Sequence, residues 1–237
     1  LVVGFELATG YKYRTITIAY TPGRTPEGYP TKRWSLTFVF DPIVCQVDLK
    51  VDGEAKATRY MRYNDGLFED SSCAGSSTRT LPTFTKLGHR FKGYGTAEDA
   101  NGNVTNIITN SSGTIYGDDG WNRIFGDAKQ RTLYAALEPI ICAVTLDNAW
   151  HQDGQAKSKI TTVYMKYGDG LYSDPLCAQR IGRQIHPENF ERPGYFFNGL
   201  STTKGGGNDL TNTSGTFWGT DDGWATVFAD NTTATAY

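Results

Sequence analysis

A mostly β chain made of small modules, with little helix, is predicted by three observations. The composition favours strands, no long helical periodicity is present, and five blocks of sequence occur twice in the same order. Of 237 residues, 30 are Thr, 27 Gly, 14 Tyr, 12 Phe and 5 Trp. Thr and aromatic side chains fill pleated surfaces, whereas Gly serves turns and weakens helices. Nothing longer than about two helical turns repeats at 3.6 residues, which excludes a helical bundle. At 38% hydrophobic the chain has enough apolar residues for a core.

The first unit opens on a strand-like run, Val44–Val51, and the second on Ile141–Leu146. Phe40-Asp41-Pro42-Ile43-Val44-Cys45 matches Leu137-Glu138-Pro139-Ile140-Ile141-Cys142. A second strand follows in each, as Tyr60-Met61-Arg62-Tyr63-Asn64-Asp65-Gly66 matches Tyr164-Met165-Lys166-Tyr167-Gly168-Asp169-Gly170 and ends in an Asp-Gly turn. Next come a cysteine (Cys73, Cys177) and a further strand, Gly88-His89-Arg90-Phe91-Lys92-Gly93 against Gly194-Tyr195-Phe196-Phe197-Asn198-Gly199. Thr109–Gly117 matches Thr211–Gly219, and Asp118-Asp119-Gly120-Trp121 matches Asp221-Asp222-Gly223-Trp224. Arg131–Leu137 is the closing strand of the first unit; Pro82–Lys86 and Glu188–Arg192 each have room for one short helix or turn. Duplication with changes of loop length accounts for this order.

The expected organisation is a strand-rich segment over 1–42, one β-module over 43–139 and a second over 140–237. Lys32–Pro42 resembles the closing strand of the first module, and Gly10-Tyr11-Lys12-Tyr13 echoes Gly194-Tyr195-Phe196-Phe197. Residues 1–42 therefore read as the last part of a diverged third unit. The second module matches the closing strand only as far as Tyr237.

Net charge is −2, from 23 Lys and Arg against 25 Asp and Glu, with no basic stripe to neutralise phosphates, so nucleic acid is not an expected partner. No apolar run approaches the ~18–20 residues of a membrane span. Leu1-Val2-Val3-Gly4-Phe5 is too short for a signal peptide, so any targeting segment is expected to be removed or to lie outside this chain.

Cys45 and Cys142 sit on the opening strands, and Cys73 and Cys177 follow the Tyr-Met-x-Tyr strands. Equivalent positions and the absence of a Cys-x-x-Cys cluster predict two bridges, Cys45–Cys73 and Cys142–Cys177. Such bridges imply an oxidising, extracellular or cell-surface location.

Catalytic constellations are sparse: no Gly-x-Ser-x-Gly elbow, His-Glu-x-x-His or phosphate-binding loop is present. His89, His151 and His186 occupy non-equivalent places, and no acidic pair stands out for glycoside hydrolysis. No catalytic residue, metal ligand or cofactor is therefore expected. Asp99-Ala100-Asn101-Gly102-Asn103 has the first spacings of a calcium loop but Asn110 stands where a bidentate Glu belongs, and turn geometry is the preferred reading. Tyr116, Trp121, Trp218 and Trp224 recur in both units as core rings or as ligand-contact aromatics for a glycan or receptor. Asn103, Asn110, Asn212 and Asn231 fit the N-glycosylation pattern.

The blocks Tyr164-Met165-Lys166-Tyr167-Gly168-Asp169-Gly170-Leu171-Tyr172-Ser173-Asp174, Pro193–Gly199 and Thr132-Leu133-Tyr134-Ala135 resemble the bacterial surface repeats of the Listeria–Bacteroides, or internalin B-type, family. That resemblance implies a β-grasp-like module serving as a stalk, adhesive or interaction repeat on bacterial surfaces, without catalysis. The cysteine pair of each unit is an addition to the family pattern. The expected function is a non-enzymatic extracellular stalk or filament subunit whose copies self-associate head to tail by strand complementation. A carbohydrate- or receptor-binding adhesin acting as a monomer is the alternative.

Overall fold

A computed structural model describes residues 11–117, 125, 127–147, 151–152, 155–156, 162–187, 190, 193–218 and 228–237, with backbone alone at 13, 14, 151, 152, 155 and 156. The chain is mostly β. It divides into two compact units, one of Leu1–Phe84 with Phe91–Ala136 and one of Thr85–Arg90 with Leu137–Tyr237.

In the first unit, β1 (Tyr11–Arg24) and β2 (Pro30–Pro42) form an antiparallel ribbon, closed by a turn in which Gly28 N–H donates to Thr25 O. The ribbon is a two-stranded sheet of its own. Its register pairs Ile16 with Phe38, Ile18 with Leu36 and Tyr20 with Trp34, and it shifts between Tyr13 and Thr15. Directly paired residues share a face, so these six side chains form one apolar row. Thr17, Thr37, Ala19, Ser35, Thr21 and Arg33 line the other face.

Next come β3 (Val44–Val51), β4 (Glu54–Arg62), β5 (Gly66–Phe68), β6 (His89–Glu98), β7 (Val104–Ile107) and β8 (Gln130–Pro139), which form a six-stranded sheet in the order β5-β4-β3-β8-β6-β7. β3 alternates between half-buried and buried residues, as a strand with one covered face requires. Its inner side chains Cys45, Val47, Leu49 and Val51 join Met61, Leu67, Tyr94 and Leu133 in the core. On the outer face Asp48 gathers three neighbours, accepting from Gln46 Nε2 at 3.0 Å, Thr58 Oγ1 at 3.0 Å and Gln130 Nε2 at 2.7 Å. β8 runs parallel to β3.

The second unit contains β9 (Ile141–Leu146), the short hairpin of β10 (His151–Gln152) and β11 (Gln155–Ala156), β12 (Thr162–Lys166), β13 (Gly170–Tyr172), β14 (Arg180–Gly182) and β15 (Thr233–Ala236). Its main sheet has the order β14-β13-β12-β9-β15, with β15 parallel to β9 as β8 is to β3. The core here is formed by Val144, Leu146, Val163, Met165, Leu171, Ile185, Leu200 and Phe217 among others.

Two expectations differ from what is observed. Gly194–Gly199 is not a strand, although its counterpart Gly88–Gly93 contributes most of its residues to β6. Strand formation needs a pairing partner as well as a suitable sequence. Pro82–Lys86 holds no helix; the Pro82 carbonyl instead accepts the Tyr94 hydroxyl at 2.6 Å, and the turn comes at Lys86–His89. Residues 188, 189, 191 and 192 of the second expected turn lie outside the described residues.

Candidate functional site

Tyr116 and Trp218 each follow a turn built around an asparagine. Asn110 Oδ1 accepts the N–H groups of Ser112 at 3.0 Å and Thr114 at 2.9 Å, and Asn212 Oδ1 accepts those of Ser214 and Thr216 at the same distances. Beyond the turn the chain alternates, so Ile115 and Phe217 are buried while Tyr116 and Trp218 are about half exposed. The Trp218 indole N–H donates to the Asn208 carbonyl, leaving its ring face as the accessible part. Each unit thus presents one of the expected aromatic rings. Trp121 and Trp224 lie outside the described residues.

The expected bridges Cys45–Cys73 and Cys142–Cys177 are not formed: all four cysteines are unpaired thiols. The fold gives the reason. Cys45 points into the core from β3, opposite Met61 of β4, whereas Cys73 closes a turn beyond β5, with β4 between those two strands. The charges acting on the two thiols differ as well, Arg131 and Asp48 at Cys45 but Arg62, Asp70 and Asp65 at Cys73. Cys142 lies opposite Met165 in the same way, while Cys177 ends a turn whose N–H donates to Asp174 O. Cys73 and Cys177 both take the left-handed conformation, with φ of 50° and 53°. Burial pushes the Cys45 and Cys142 thiols up to about 11 and raises those of Cys73 and Cys177.

The acidic groups are occupied by local structure. Asp99 Oδ1 accepts the N–H groups of Asn101 and Asn103, each at 2.8 Å, and the Asn103 side chain first among these bonds holds its carboxyl below the usual range. Asp174 accepts from Leu176, Ala178 and Gln179, and Asp70 from Ser72. Asp169 accepts from Lys166 Nζ at 2.9 Å and the Tyr172 hydroxyl at 2.8 Å. Among the described residues no three His, Cys, Asp or Glu side chains gather as a metal site. Asp118, Asp119, Asp221 and Asp222 lie outside those residues. A cleft of about 690 Å³, lined by Thr96, Asn106, Arg131, Thr132 and Tyr134 among others, opens between β6–β7 and β8.

Three further features emerge only in the folded chain. The first is a recurring aromatic contact. In the first unit the Tyr11 ring stands edge-on to Tyr63 at 5.0 Å and 70°, and Asn64 Nδ2 donates to the Tyr11 hydroxyl at 3.0 Å. In the second unit His89 meets Tyr167 at 5.2 Å and 67°. The adjoining Gly88 N–H donates to Asp230 Oδ1 at 2.7 Å, and Gly88 O accepts the Ile140 N–H at 2.8 Å. A Cβ on Gly88 would stand 1.9 Å from the Tyr167 ring, so only glycine fits there.

The second is the segment 193–199 in the second unit. Phe196 is fully exposed, Phe197 stacks on Phe190 at 5.2 Å, and a cavity of about 150 Å³ lies between this segment and Tyr237. Tyr237 and Ser201 exchange two backbone hydrogen bonds, each 2.8 Å, just beyond the segment. The third is the apolar row of the ribbon. The alternation of Ile16, Ile18 and Tyr20 with the smaller Thr17 and Ala19 is its signal in the sequence.

Among the described residues no helix is long and apolar enough to cross a membrane. Comparison with protein-family models, with curated proteins and with solved structures returns no match.

Proposed function

We propose that this chain is a non-enzymatic structural protein of tandem β-modules, a stalk or filament subunit whose copies join head to tail by strand complementation. The aromatic contact carries the reading. In each unit a tyrosine after the Tyr-Met-x strand, Tyr63 or Tyr167, receives a ring from sequence that precedes the module, Tyr11 or His89. A unit that packs a segment from ahead of its opening strand into its own fold, as the second unit does with Thr85–Arg90, is suited to serial joining. Gly194-Tyr195-Phe196 corresponds to Gly88-His89-Arg90, and its outer rings face solvent.

The complementing strand is Phe38–Pro42 of another copy. Phe40-Asp41-Pro42 corresponds to Leu137-Glu138-Pro139, the end of β8, and both runs lead straight into the opening strand of a module. β1 covers one edge of β2, and the added segment takes the other. Such a contact is heterologous and propagates. Location outside the cell rests on the resemblance to bacterial surface repeats, since the cysteines are thiols.

A photo-crosslinking residue placed at Phe196 tests the joint. Adducts on β2 of a second copy are expected; adducts confined to the same chain would remove the proposal. Half-exposed Tyr116 and Trp218 favour a second reading, a glycan- or receptor-binding module. Glycan-array binding that disappears in Trp218→Ala, together with no intermolecular adduct at 196, would favour it over the first.

A further inference from the structure

The ribbon's apolar row shares Phe38 and Phe40 with the segment used in head-to-tail joining, but it presents a side-chain face where the joint uses the backbone edge of β2. We infer that this face packs against the same face of a second copy, with the two ribbons antiparallel about a twofold axis. Ile18 and Trp34 are each 64% exposed and Leu36 50%, with Ile16, Tyr20 and Phe40 beside them also open to solvent. Isolated two-stranded hairpins are marginal in water and gain stability when one face is covered. Here the opposite face is mainly polar, with Thr15, Thr17, Thr21, Arg33, Ser35 and Thr37 around Ala19 and Val39, so a single layer placed on the row covers most of the ribbon's apolar surface.

A second copy is the occupant for three reasons. The row contains no charge from Ile16 to Tyr20 or from Trp34 to Leu36 and Phe38, so identical faces meet without burying one. The rings lie toward both ends, Tyr20 with Trp34 at 5.0 Å near the tip and Phe38 with Phe40 at 6.4 Å near the base. Antiparallel packing sets tip rings over base rings and keeps Arg24 and Lys32, which share this face by register, at opposite ends. Parallel packing would bring the four cations together. The third reason is area. Six large side chains at about half exposure offer roughly 500 Å² per copy, so a pair buries on the order of 1,000 Å², the threshold of a stable interface. Two such ribbons form a four-stranded sandwich with sheets ~10 Å apart.

Sedimentation velocity on the full chain carrying Phe196→Asp tests this with the head-to-tail joint disabled. A monomer–dimer equilibrium is expected. Leu36→Lys or Ile18→Lys should weaken it about thirty-fold or more, and Thr17→Lys on the polar face should leave it unchanged. A photo-crosslinking residue at Ile18, in the otherwise unaltered ribbon, should form adducts on β1 or β2 of another copy. A strictly monomeric Phe196→Asp chain, or Ile18 adducts only within its own chain, would overturn the inference. Loss of adducts at 196 with the dimer intact would count against head-to-tail joining alone.

Discussion

His89 meets Tyr167 edge to face at 5.2 Å and 67°, and Tyr11 meets Tyr63 at 5.0 Å and 70°. The two contacts share one geometry, one in each unit, and each brings a ring from ahead of the unit's opening strand onto the tyrosine after its Tyr-Met-x strand. Edge-to-face pairs contribute ~0.5–1.5 kcal/mol beyond buried area. Tyr167→Leu, which keeps apolar bulk, should therefore cost about 1 kcal/mol in urea unfolding. A double-mutant cycle with His89→Ala should show coupling of that size; additive effects would mean that the rings do not interact.

Gly113 and Gly215 occupy equivalent turns with φ of 78° and 77°, and a Cβ would stand 2.2 Å from Leu81 O and 1.9 Å from Ile185 O. Gly113→Ala and Gly215→Ala should each destabilise by ~1–3 kcal/mol or more, combining left-handed strain with a backbone clash. Gly205, at φ 72° with nothing within 4 Å, is the comparison, and Gly205→Ala should cost about 1 kcal/mol. Thermal unfolding of the three variants checks the order.

Thr109 and Thr211 are fully buried, and their hydroxyls accept the N–H groups of Tyr94 and Leu200 at 2.8 Å. Valine at either position keeps the shape but leaves an N–H unsatisfied, at ~1–3 kcal/mol. Wild-type stability in Thr109→Val would show that the bond has little net weight.

Burial holds the Cys45 and Cys142 thiols at about 11, so both are protonated at neutral pH. The thiolate is the reactive form. Alkylation followed by mass spectrometry should leave both unmodified in the folded chain and label them on unfolding. Fast native labelling at either, or a bridge found under non-reducing conditions, would contradict the buried-thiol arrangement.

The Lys166 ammonium, followed by the Tyr172 hydroxyl, holds the Asp169 carboxyl below the usual range, and Gln130 with Gln46 does the same for Asp48. A depressed carboxylate contributes stability that is complete above its unfolded value of about 3.9 and is lost as pH falls through the lower folded value. Asp169→Asn and Asp48→Asn should flatten the acid limb of the melting-temperature profile. An unchanged limb in both would assign acid sensitivity to other groups.

The alternation of Val44–Val51 and Ile141–Leu146 was legible because one buried face imposes period two, and both runs are strands. Gly194–Gly199 carries the same motif as Gly88–Gly93, yet only the latter contributes to a strand, because sheet membership depends on what lies alongside. The His89–Tyr167 contact joins residues far apart in sequence that no local pattern connects. For the cysteines, equivalence of position suggested bridges, but the intervening β4 and the left-handed turns at Cys73 and Cys177 are properties of the folded chain. Likewise, the alternation of Ile16, Ile18 and Tyr20 says nothing by itself of the row's exposure, which depends on tertiary neighbours.

Electron microscopy of the concentrated full chain, compared with Phe196→Asp, tests the account most directly. Linear assemblies that grow with concentration and disappear in Phe196→Asp are predicted. Isolated particles of one size at every concentration, with no difference between the two proteins, would contradict it.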